Sequence, residues 1–396
     1  MKVLFITSKS PYPALDGGAM ATKALLEGLL SNGISVHLFV LETYKHPFQP
    51  SNIPAHFKDR LYYQSVSINT HVQPLDALLH LIQNKSYNLS RFYSADAETQ
   101  LVKLLQTTKF DRIHFESLYA TVYATELKKH TTAKFIYRAH NIENQIWQNL
   151  SSETKSWPYK AYLKLLANQL LKYESRILEL FDLILPITST DAQWFKNHGF
   201  TKKMTLFPFG IDLKNSSSTI EPNPHSLFFI GALNWKPNQD GLYWFLNKVW
   251  PIITSQVKDV HFYVAGRFLD QLPFQLNFPN VTVVGEVPDQ FEFMQTHNVF
   301  VVPLLSGSGM RVKIIEGLAI GKPLVTTSKG VEGIEAIHQQ HLLIADNEQA
   351  FANAVIQLLE NPVLAQHLSK NGRLLVQERY NNQQNLLQVI AAYQQL

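Results

Sequence analysis

The stretch VPLLSGSGMRVKIIEGLAIGKPLVTT, residues 302–327, decides the fold prediction. It opens on the end of an apolar run and continues through a loop that contains Gly307 and Gly309. From about Met310, apolar residues follow at helical spacing until Gly321, and a second apolar run begins at Pro323. This order of strand, loop, helix and strand is the repeating unit of parallel sheets covered by helices on both faces. The stretch therefore predicts an α/β fold.

The same alternation extends along the rest of the chain and indicates two domains. The 396 residues exceed the roughly 250 to 300 residues over which a single core usually grows. A polar stretch, GIDLKNSSSTIEPNPHS at 210–226, supports neither helical nor strand periodicity and is the expected linker. We predict Rossmann-like domains over 1–210 and 227–375, a linker over 211–226, and a C-terminal helix over 376–396 that packs back on the first domain. The predicted strands are 3–7, 35–41, 112–115, 135–138, 183–187, 227–230, 260–265, 281–284, 299–303 and 323–327.

Composition excludes several kinds of site. Cysteine is absent, so disulfides, thiolate nucleophiles and cysteine-ligated metal centres are excluded. The net charge of +4 suits an anionic small molecule or an anionic membrane surface and is too small to indicate nucleic acid as a partner. The opening apolar run, VLFIT, is too short for a signal-peptide core, and no run approaches the ~20 apolar residues that span a bilayer. We therefore expect a cytoplasmic protein.

The loop and helix within residues 302–327 have the features of an anion site. Glycines let the backbone approach a ligand closely, and a helix N-terminus offers N–H groups and a positive dipole end. Arg311 and Lys313 lie in the first helical turn, where cations are disfavoured unless an anion compensates them. A diphosphate would do so, and the carboxylate of Glu316 could accept hydrogen bonds from an adjacent ribose. The alternative is that Lys313 and Glu316 are a surface ion pair and that Arg311 is solvated.

The run from Ser308 to Pro323 resembles the donor-nucleotide motif of GT-B glycosyltransferases of family 4. Glu316 matches the second Glu of that motif, which binds the donor ribose, whereas Ser308 replaces the first Glu, which contacts the transferred sugar. A branch of the family with GSGxRxK before the helix fits better, and it implies that Arg311 and Lys313 bind the diphosphate and act in catalysis. The resemblance also implies two domains that face each other across a cleft, with the donor on the second. The donor-binding residues that it implies are Gly17, Gly18, Ser308, Gly309, Met310, Arg311, Lys313 and Glu316.

Two further regions of the chain resemble the same family. The N-terminal loop SKSPYPALDGG ends in Gly17 and Gly18, which match a Gly-Gly pair at the start of the first helix, although a simple tight turn is the alternative. The segment YRAHNIENQIW, residues 137–147, places His140 after a strand, where family members often carry a histidine that faces the reacting groups. A structural histidine is the alternative. Further candidates are Arg138, Asn141, Lys236 and Arg267. Asn141 could instead cap the following helix, and Lys236 and Arg267 could be surface residues.

The resemblance implies a metal-independent, retaining, hexosyltransferase-like glycosyltransferase without a cofactor. It would use a nucleotide diphosphate sugar as donor and a glycan or lipid-linked acceptor, in cell-surface polysaccharide or glycoconjugate synthesis. The alternatives are a nucleotide-sugar epimerase of the same fold and a non-catalytic nucleotide- or sugar-binding relative. The basic, aromatic segment 156–178 predicts a helix that either contacts an anionic membrane or packs on its own sheet.

Overall fold

The structure is a computed structural model that describes residues 1–73, 86–212, 221–307 and 309–396. The chain divides into two units. Unit 1 contains Met1–Pro208 and Gln384–Leu396, and unit 2 contains Phe209–Gln383. Residues 213–220, which are half of the predicted linker, and Ser308 lie outside the described residues, and the last four residues of the predicted linker belong to a strand that begins at Asn223.

Unit 1 is built on a seven-stranded parallel sheet with the order β3-β2-β1-β4-β5-β6-β7. Its strands are β1 Lys2–Thr7, β2 Ser35–Glu42, β3 Leu61–Ser67, β4 Arg112–Glu116, β5 Lys134–Ala139, β6 Leu183–Pro186 and β7 Lys203–Met204. Its helices are α1 Gly17–Ser31, α2 Tyr87–Ser90, α3 Ala95–Thr107, α4 Ala124–Leu127, α5 Glu143–Glu153, α6 Trp157–Ile177, α7 Ser189–Asn197 and, at the C-terminus, α14 Asn382–Gln394. Because all strands are parallel, β1, β4 and β5 end at the same edge of the sheet, where such folds place ligands.

Unit 2 repeats this architecture with six parallel strands in the order β10-β9-β8-β11-β12-β13. Its strands are β8 Asn223–Ile230, β9 His261–Ala265, β10 Val281–Gly285, β11 His297–Val302, β12 Leu324–Thr326 and β13 Leu343–Ile344. Its helices are α8 Lys236–Trp244, α9 Trp250–Gln256, α10 Gln290–Thr296, α11 Val312–Ala319, α12 Glu348–Glu360 and α13 Pro362–Arg379, with a π-helical turn at Phe245–Val249 between α8 and α9. Both units are Rossmann-like, as predicted. The stretch 302–327 contains the end of β11, the loop that follows it, α11 and β12.

Each sheet has an apolar cluster on both faces, which explains why the strands read as short apolar runs. In α11, Ile314, Ile315 and Leu318 are fully buried against β11 and β12. The helix ends at Ala319, and Gly321 follows with a φ of +74°. The N–H of Lys322 donates to the Gly317 carbonyl, so the last turn closes in the left-handed conformation that glycine favours.

The C-terminal segment differs from its predicted boundaries. The sequence places one helix over 376–396, whereas α13 runs to Arg379 in unit 2 and α14 begins at Asn382. Tyr380 and Asn381 interrupt the helix because Asn381 pairs with Ile211. From Gln384 onward the chain belongs to unit 1, where Arg112 Nε donates to the carbonyl of Tyr393 at 3.0 Å.

Candidate active site

The loop before α11 has a backbone that requires glycine. Gly307 and Gly309 have φ angles of +103° and +84°, which residues with a Cβ rarely adopt. A Cβ on Gly307 would also lie 3.0 Å from Trp235 Cζ2 and 3.0 Å from Arg311 Nη2. The backbone of this loop therefore lies close to the side chains of Trp235 and Arg311. The loop ends at Arg311, which is the N-cap of α11.

Arg311 is a buried cation at this helix N-terminus. Its side chain is 5% exposed, Nη1 donates to the Gly309 carbonyl, and the guanidinium carbon lies 5.3 Å from the centre of the Trp235 ring. Burial lowers the pKa of the guanidinium. A guanidinium has only hydrogen-bond donors, so it does not compete with a ligand for the N–H groups of the first turn of α11. A buried cation at the positive end of a helix dipole is unfavourable alone and favourable once an anion is present.

Lys313 lies beside Arg311 and is held by neutral groups. Its ammonium donates to Asn238 Oδ1 at 2.9 Å and to the Ile230 carbonyl at 3.1 Å. Burial, and then the positive charge of Arg311, lower the pKa of Lys313 to about 7. A Cβ on Gly231 would lie 2.9 Å from Lys313 Nζ, so the glycine that ends β8 makes room for the ammonium.

Glu316 follows one turn later on the same helix. Its Oε1 accepts a hydrogen bond of 2.9 Å from Gln290 Nε2 at the start of α10. Burial raises the pKa of its carboxyl. Gly309, Met310, Arg311, Lys313 and Glu316 are thus brought together, with Met310 packed on the apolar cluster beneath α11.

The two basic candidates near β8 and β9 do not join this cluster. The Lys236 side chain is 70% exposed and pairs with Asp240 on the same helix. Arg267 is exposed and extends over the ring of Phe268. Lys313 approaches the end of β8 instead, where the amide of Asn238 in the first turn of α8 accepts a hydrogen bond from its ammonium.

Unit 1 contains a second constellation around Glu116, the last residue of β4. This carboxylate is 1% exposed and accepts hydrogen bonds from His114, Arg138 and His140. The distances are 2.6 Å from His114 Nε2, 2.9 Å from Arg138 Nη1 and 2.7 Å from His140 Nε2. Burial opposes ionisation, but the charge of Arg138 and the histidine contacts outweigh it and hold the pKa of Glu116 well below its usual range. Thr22 Oγ1 also donates to its Oε1 at 3.1 Å, so Glu116 is an ionised carboxylate on which four side chains converge.

This network fixes which atoms carry protons. Burial lowers the pKa of His114 and of His140, against the opposing effect of Glu116, so both imidazoles are neutral at pH 7. Tyr393 keeps its proton because burial raises its pKa, and its hydroxyl lies 2.5 Å from His114 Nδ1. The assignment that satisfies every contact has Tyr393 donating to His114, and both histidines donating through Nε2 to Glu116. The Nδ1 atom of His140 is then an unprotonated acceptor.

Arg138 has a positioning role in this network. It is 2% exposed, and Nη1 also donates to the Ala21 carbonyl at 3.0 Å while the guanidinium packs 4.4 Å from the Phe207 ring centre. Its positive charge stabilises the ionised carboxylate of Glu116, so we interpret Arg138 as a residue that positions Glu116 and His140.

The loop after His140 does not use Asn141 as a helix cap. The N-cap of α5 is Ile142, and the carboxylate of Glu174 on α6 accepts from the backbone N–H groups of Glu143 at 2.9 Å and Asn144 at 3.0 Å. Burial raises the pKa of Glu174 to about 7, although hydrogen bonds from Asn144 oppose it. The capping alternative for Asn141 was therefore wrong, since a carboxylate from a neighbouring helix performs that task.

Gly17 and Gly18 begin α1 next to a small polar cluster. Asp16 caps the helix through the N–H of Ala19 at 2.8 Å, and it also contacts Lys9 at 3.1 Å and His46 at 3.0 Å. A Cβ on Gly17 would meet nothing within 4 Å, whereas one on Gly18 would lie 2.5 Å from Lys9 Nζ. A cavity of about 110 Å³ beside this cluster is lined by side chains that include Lys9, Lys45, His46, Arg91 and Tyr119.

Sequence reasoning missed Glu116, His114, Gln290 and Tyr393. The signal for the first two was present, because RIHFE places two polar residues on one face of a buried strand. Gln290 and Tyr393 are distant in sequence from the groups they contact. Among the described residues, no group of three or more His, Asp or Glu is arranged to hold a metal ion, and no helix has the length and apolarity needed to cross a membrane.

Comparisons with known proteins agree with this architecture. An uncharacterised 44.6 kDa protein in the cps region of Klebsiella pneumoniae is 24% identical, over 96% of this chain and 97% of the relative. The sucrose-phosphate synthase of Thermosynechococcus elongatus has a similar structure, with a TM-score of 0.66, 17% identity, and 100% and 98% of the two chains covered. The structure of Anabaena HepE in complex with UDP has a TM-score of 0.65 and 13% identity, with 100% of both chains covered. Its complex with UDP-glucose has a TM-score of 0.62 and 13% identity, again with 100% of both chains covered. At these identities the structural likenesses establish the GT-B fold.

Two family models cover most of the chain. The model described as Glycosyl transferases group 1 matches residues 224–361, which include β8, α11 and the cluster around Arg311. The model described as Glycosyltransferase Family 4 matches residues 15–215, which include Gly17, Glu116 and His140. The second match alone spans just over half of the 396 residues. The chain therefore belongs to glycosyltransferase family 4.

Proposed function

We propose that this enzyme transfers a sugar from a nucleotide diphosphate sugar to a glycan or lipid-linked acceptor, with retention of configuration and without a metal ion or other cofactor. The observation that carries the proposal is the pair of cations at the N-terminus of α11. Arg311 is buried, and Lys313 has only neutral hydrogen-bond partners and a pKa that burial, and then the charge of Arg311, lower. Such a pair is stabilised by a dianionic ligand, and a diphosphate fits it.

The side chains of unit 2 match the chemical groups of a nucleotide sugar donor. The diphosphate would contact Arg311, Lys313 and the N–H groups at the start of α11. Glu316 lies one turn further and would accept hydrogen bonds from the ribose hydroxyls, with Gln290 holding its other side. The complexes of Anabaena HepE with UDP and with UDP-glucose support a nucleotide sugar as the donor class.

The reaction would use electrostatic stabilisation of the leaving group. As the bond between the anomeric carbon and the diphosphate oxygen breaks, negative charge grows on the diphosphate and is stabilised by Arg311, Lys313 and the helix dipole. The acceptor hydroxyl oxygen forms the new bond on the same face, and its proton goes to the departing phosphate oxygen. His140 would orient a reacting hydroxyl through Nδ1, since Glu116 holds Nε2.

The acceptor would bind to unit 1, where the edge of the sheet carries positive side chains. The cavity beside Asp16 has Lys9, Lys45, His46 and Arg91 in its lining, which suits an acceptor with a phosphate or a carboxylate. The relative in the cps region of Klebsiella pneumoniae supports polysaccharide synthesis as the setting.

The N-terminal half of α6 would bring the enzyme to the cytoplasmic face of an anionic membrane. Trp157 is 77% exposed and Tyr159 is 51% exposed, and exposed Lys155, Lys160 and Lys164 accompany them. Aromatic rings at the level of the lipid head groups, combined with lysines that contact anionic lipids, are typical of peripheral membrane helices.

Replacing Arg311 tests the proposal directly. A thermal-shift panel of nucleoside diphosphates and nucleotide sugars first identifies the donor. We expect Arg311→Ala to lower kcat/KM with that donor by about 100- to 1000-fold, because one charged contact to the leaving group is removed. Calorimetric affinity for the matching nucleoside diphosphate should fall as well.

Lys236→Ala is the matched control, since it removes an exposed cation of the same unit that pairs with Asp240. It should leave both quantities unchanged. Full activity of a correctly folded Arg311→Ala variant would refute the diphosphate assignment.

A further inference from the structure

The cavity beside Asp16 lies at the edge of the unit 1 sheet where the parallel strands end. Its lining comes from the segments that follow β1, β2, β3 and β4, at Lys9, Thr43, Thr70 and Tyr119 respectively. Parallel α/β sheets bind their ligands at this edge. The volume of about 110 Å³ is below the roughly 300 to 1,000 Å³ of sites that enclose a whole small molecule, so the cavity suits one compact group of a larger ligand.

Arg91 is a half-buried cation of this cavity that no described carboxylate neutralises. It follows α2, and its guanidinium carbon lies 5.5 Å from the centre of the Phe92 ring. Its Nε is enclosed by protein, whereas Nη1 and Nη2 keep accessible surface and donate to no described residue. The guanidinium therefore offers a ligand in the cavity two reachable donors and an uncompensated charge.

Other donors line the same cavity. Lys45 is exposed and forms no ion pair among the described residues, whereas Lys9 shares its charge with Asp16 at 3.1 Å. Thr70 is 7% exposed, and its Oγ1 keeps accessible surface without a hydrogen bond to any described residue. Two uncompensated positive charges, of Arg91 and Lys45, thus accompany a free hydroxyl. A phosphate monoester, with a charge of about −1.5 to −2 and three acceptor oxygens, matches this set better than a carboxylate does.

The carboxylate of Glu143 lies next to this cavity. Its Oε2 accepts a hydrogen bond of 2.9 Å from the hydroxyl of Tyr119, whose side chain lines the cavity. Glu143 is half-buried, and no described residue donates to its Oε1, which keeps accessible surface. Burial raises the pKa of Glu143 and lowers that of His140, and the charge of Lys9 acts on both, so these three side chains lie close together. Oε1 is therefore a reachable acceptor beside both the cavity and His140.

We propose that the acceptor is a sugar phosphate whose phosphate or diphosphate group occupies this cavity. Arg91, Lys45 and Thr70 bind the phosphate oxygens. Glu143 Oε1 accepts a hydrogen bond from a hydroxyl of the sugar, which extends out of the cavity toward His140. The assignment rests on the proposed transfer reaction and narrows its acceptor to a phosphorylated sugar. A free sugar phosphate and a sugar joined to a lipid through a diphosphate share this chemistry.

The first experiment measures the binding of glucose 1-phosphate, glucose 6-phosphate, glucuronate and glucose to the full chain by calorimetry. We expect one or both sugar phosphates to bind at least about tenfold more tightly than glucose, as one charge-assisted contact would give, and more tightly than glucuronate. Arg91→Gln should remove most of this preference, whereas Arg91→Lys, which keeps the charge, should retain most of it. Equal affinity for glucose and both sugar phosphates, or tighter binding of glucuronate, would overturn the proposal.

Glu143→Gln separates the hydroxyl contact from the phosphate contact. The amide can still accept from Tyr119, but it places an N–H₂ donor where the free carboxylate oxygen stood. The variant should bind the sugar phosphate about fivefold more weakly and should bind inorganic phosphate no more weakly than the wild type. A general loss of structure would weaken both probes, and equal weakening of both would overturn the role of Glu143.

Matched controls separate this cavity from other cationic sites. Lys109→Gln removes an exposed lysine just before β4, at the opposite edge of the sheet, and should leave sugar-phosphate binding unchanged. Arg311→Ala should also leave it unchanged, because that residue belongs to unit 2. Loss of sugar-phosphate binding in Arg311→Ala would overturn the assignment to this cavity.

A further probe identifies the source of the ligand, and a transfer assay separates this inference from the reaction. Tighter binding of glucose joined to a farnesyl chain through a diphosphate than of glucose 1-phosphate would identify a lipid-linked acceptor, and equal binding would identify a soluble sugar phosphate. Transfer to uncharged glycans as fast as to phosphorylated sugars would overturn the inference and leave the reaction standing. Sugar-phosphate binding that depends on Arg91, in a protein that consumes no donor, would refute the reaction and support the binding site.

Discussion

The proposed contact between Lys313 and the diphosphate predicts how donor binding should depend on pH. Its pKa in the folded protein is about 7, whereas an unperturbed lysine has a pKa of about 10.4. Without a ligand, the ammonium therefore loses its proton as the pH rises through about 7, and a diphosphate binds the protonated form better. We expect the affinity for the nucleoside diphosphate to fall by up to about tenfold per pH unit between pH 7.5 and 9, measured by calorimetry.

Lys313→Met should bind more weakly than the wild type at pH 7.5 and lose most of this pH dependence. The same shift predicts that the free protein gains stability between about pH 7 and 10, because over that range the unfolded lysine is protonated and the folded one is not. An affinity that stays constant from pH 7.5 to 9 would contradict contact between Lys313 and the diphosphate.

Glu116 is the residue on which the buried network of unit 1 depends. Glu116→Gln removes the charge that compensates Arg138 and turns an amide N–H₂ toward one of the two histidines, which already donate at this point. We expect a loss of about 3 to 5 kcal/mol in the free energy of unfolding, as for other broken buried ion pairs. Chemical denaturation measures it.

Glu126→Gln is the control, since Glu126 contacts Lys129 and His130 on the surface. It should change stability by less than about 0.5 kcal/mol. A Glu116→Gln variant as stable as this control would show that the network contributes little.

The residues of the candidate site were predictable to different degrees. Arg311, Lys313 and Glu316 lie on one short helix, so local spacing indicated that they act together. His140 followed a strand and was identified as a candidate for that reason. The protonation of His140 depends on Glu116, which also binds His114. Both of these residues lie on β4, and only the pairing of β4 with β5 brings them close to His140. A single sequence does not contain that pairing.

At the scale of secondary-structure elements, two loops of unit 2 approach each other closely where β9 ends. Gly266 has a φ of +152°, and a Cβ there would lie 1.9 Å from the Gly231 carbonyl oxygen. The loops after β8 and β9 must therefore separate if Gly266 is replaced. We expect Gly266→Ala to destabilise the protein by more than about 3 kcal/mol, measured by chemical denaturation, and to weaken nucleotide binding because Gly231 adjoins Lys313.

Gly17→Ala is the matched control at the start of α1. A Cβ there meets no atom within 4 Å, so its stability should stay within about 1 kcal/mol of the wild type. Equal stabilities of the two variants would contradict the close approach of the two loops.

The strands that sequence reasoning missed are β3, β7 and β13, all at or next to a sheet edge. In β3, LYYQSVS, only two of the seven residues are buried, so the apolar pattern is weak. The strands β7 and β13 contain two residues each, which is too short for any periodicity. Most of the predicted strands are buried on both faces of a sheet, and that burial makes them continuous apolar runs. The exception is β10, an exposed edge strand that was predicted from its three valines.

At the scale of the whole molecule, membrane association is a measurable property. The enzyme should sediment with vesicles that contain about 30% anionic lipid and should be released at about 0.5 M salt, because screening weakens the lysine contacts. Trp157→Ala combined with Lys160→Ala should reduce binding strongly.

The control combines Val363→Ala with Lys370→Ala, which alters an exposed apolar residue and an exposed lysine on α13. Its binding should equal that of the wild type. Wild-type protein that stays in the supernatant with anionic vesicles would remove the membrane proposal.

The position of Tyr393, which follows unit 2 in the chain but belongs to unit 1, has a consequence for how the protein is made. Unit 1 needs α14 to complete an apolar cluster that contains Val389, Ile390 and Tyr393, and Tyr393 donates to the buried His114. All of unit 2 is synthesised before these residues emerge from the ribosome. Unit 2 can therefore fold during translation, whereas the histidines around Glu116 reach their final protonation and packing only after the whole of unit 2 has been synthesised.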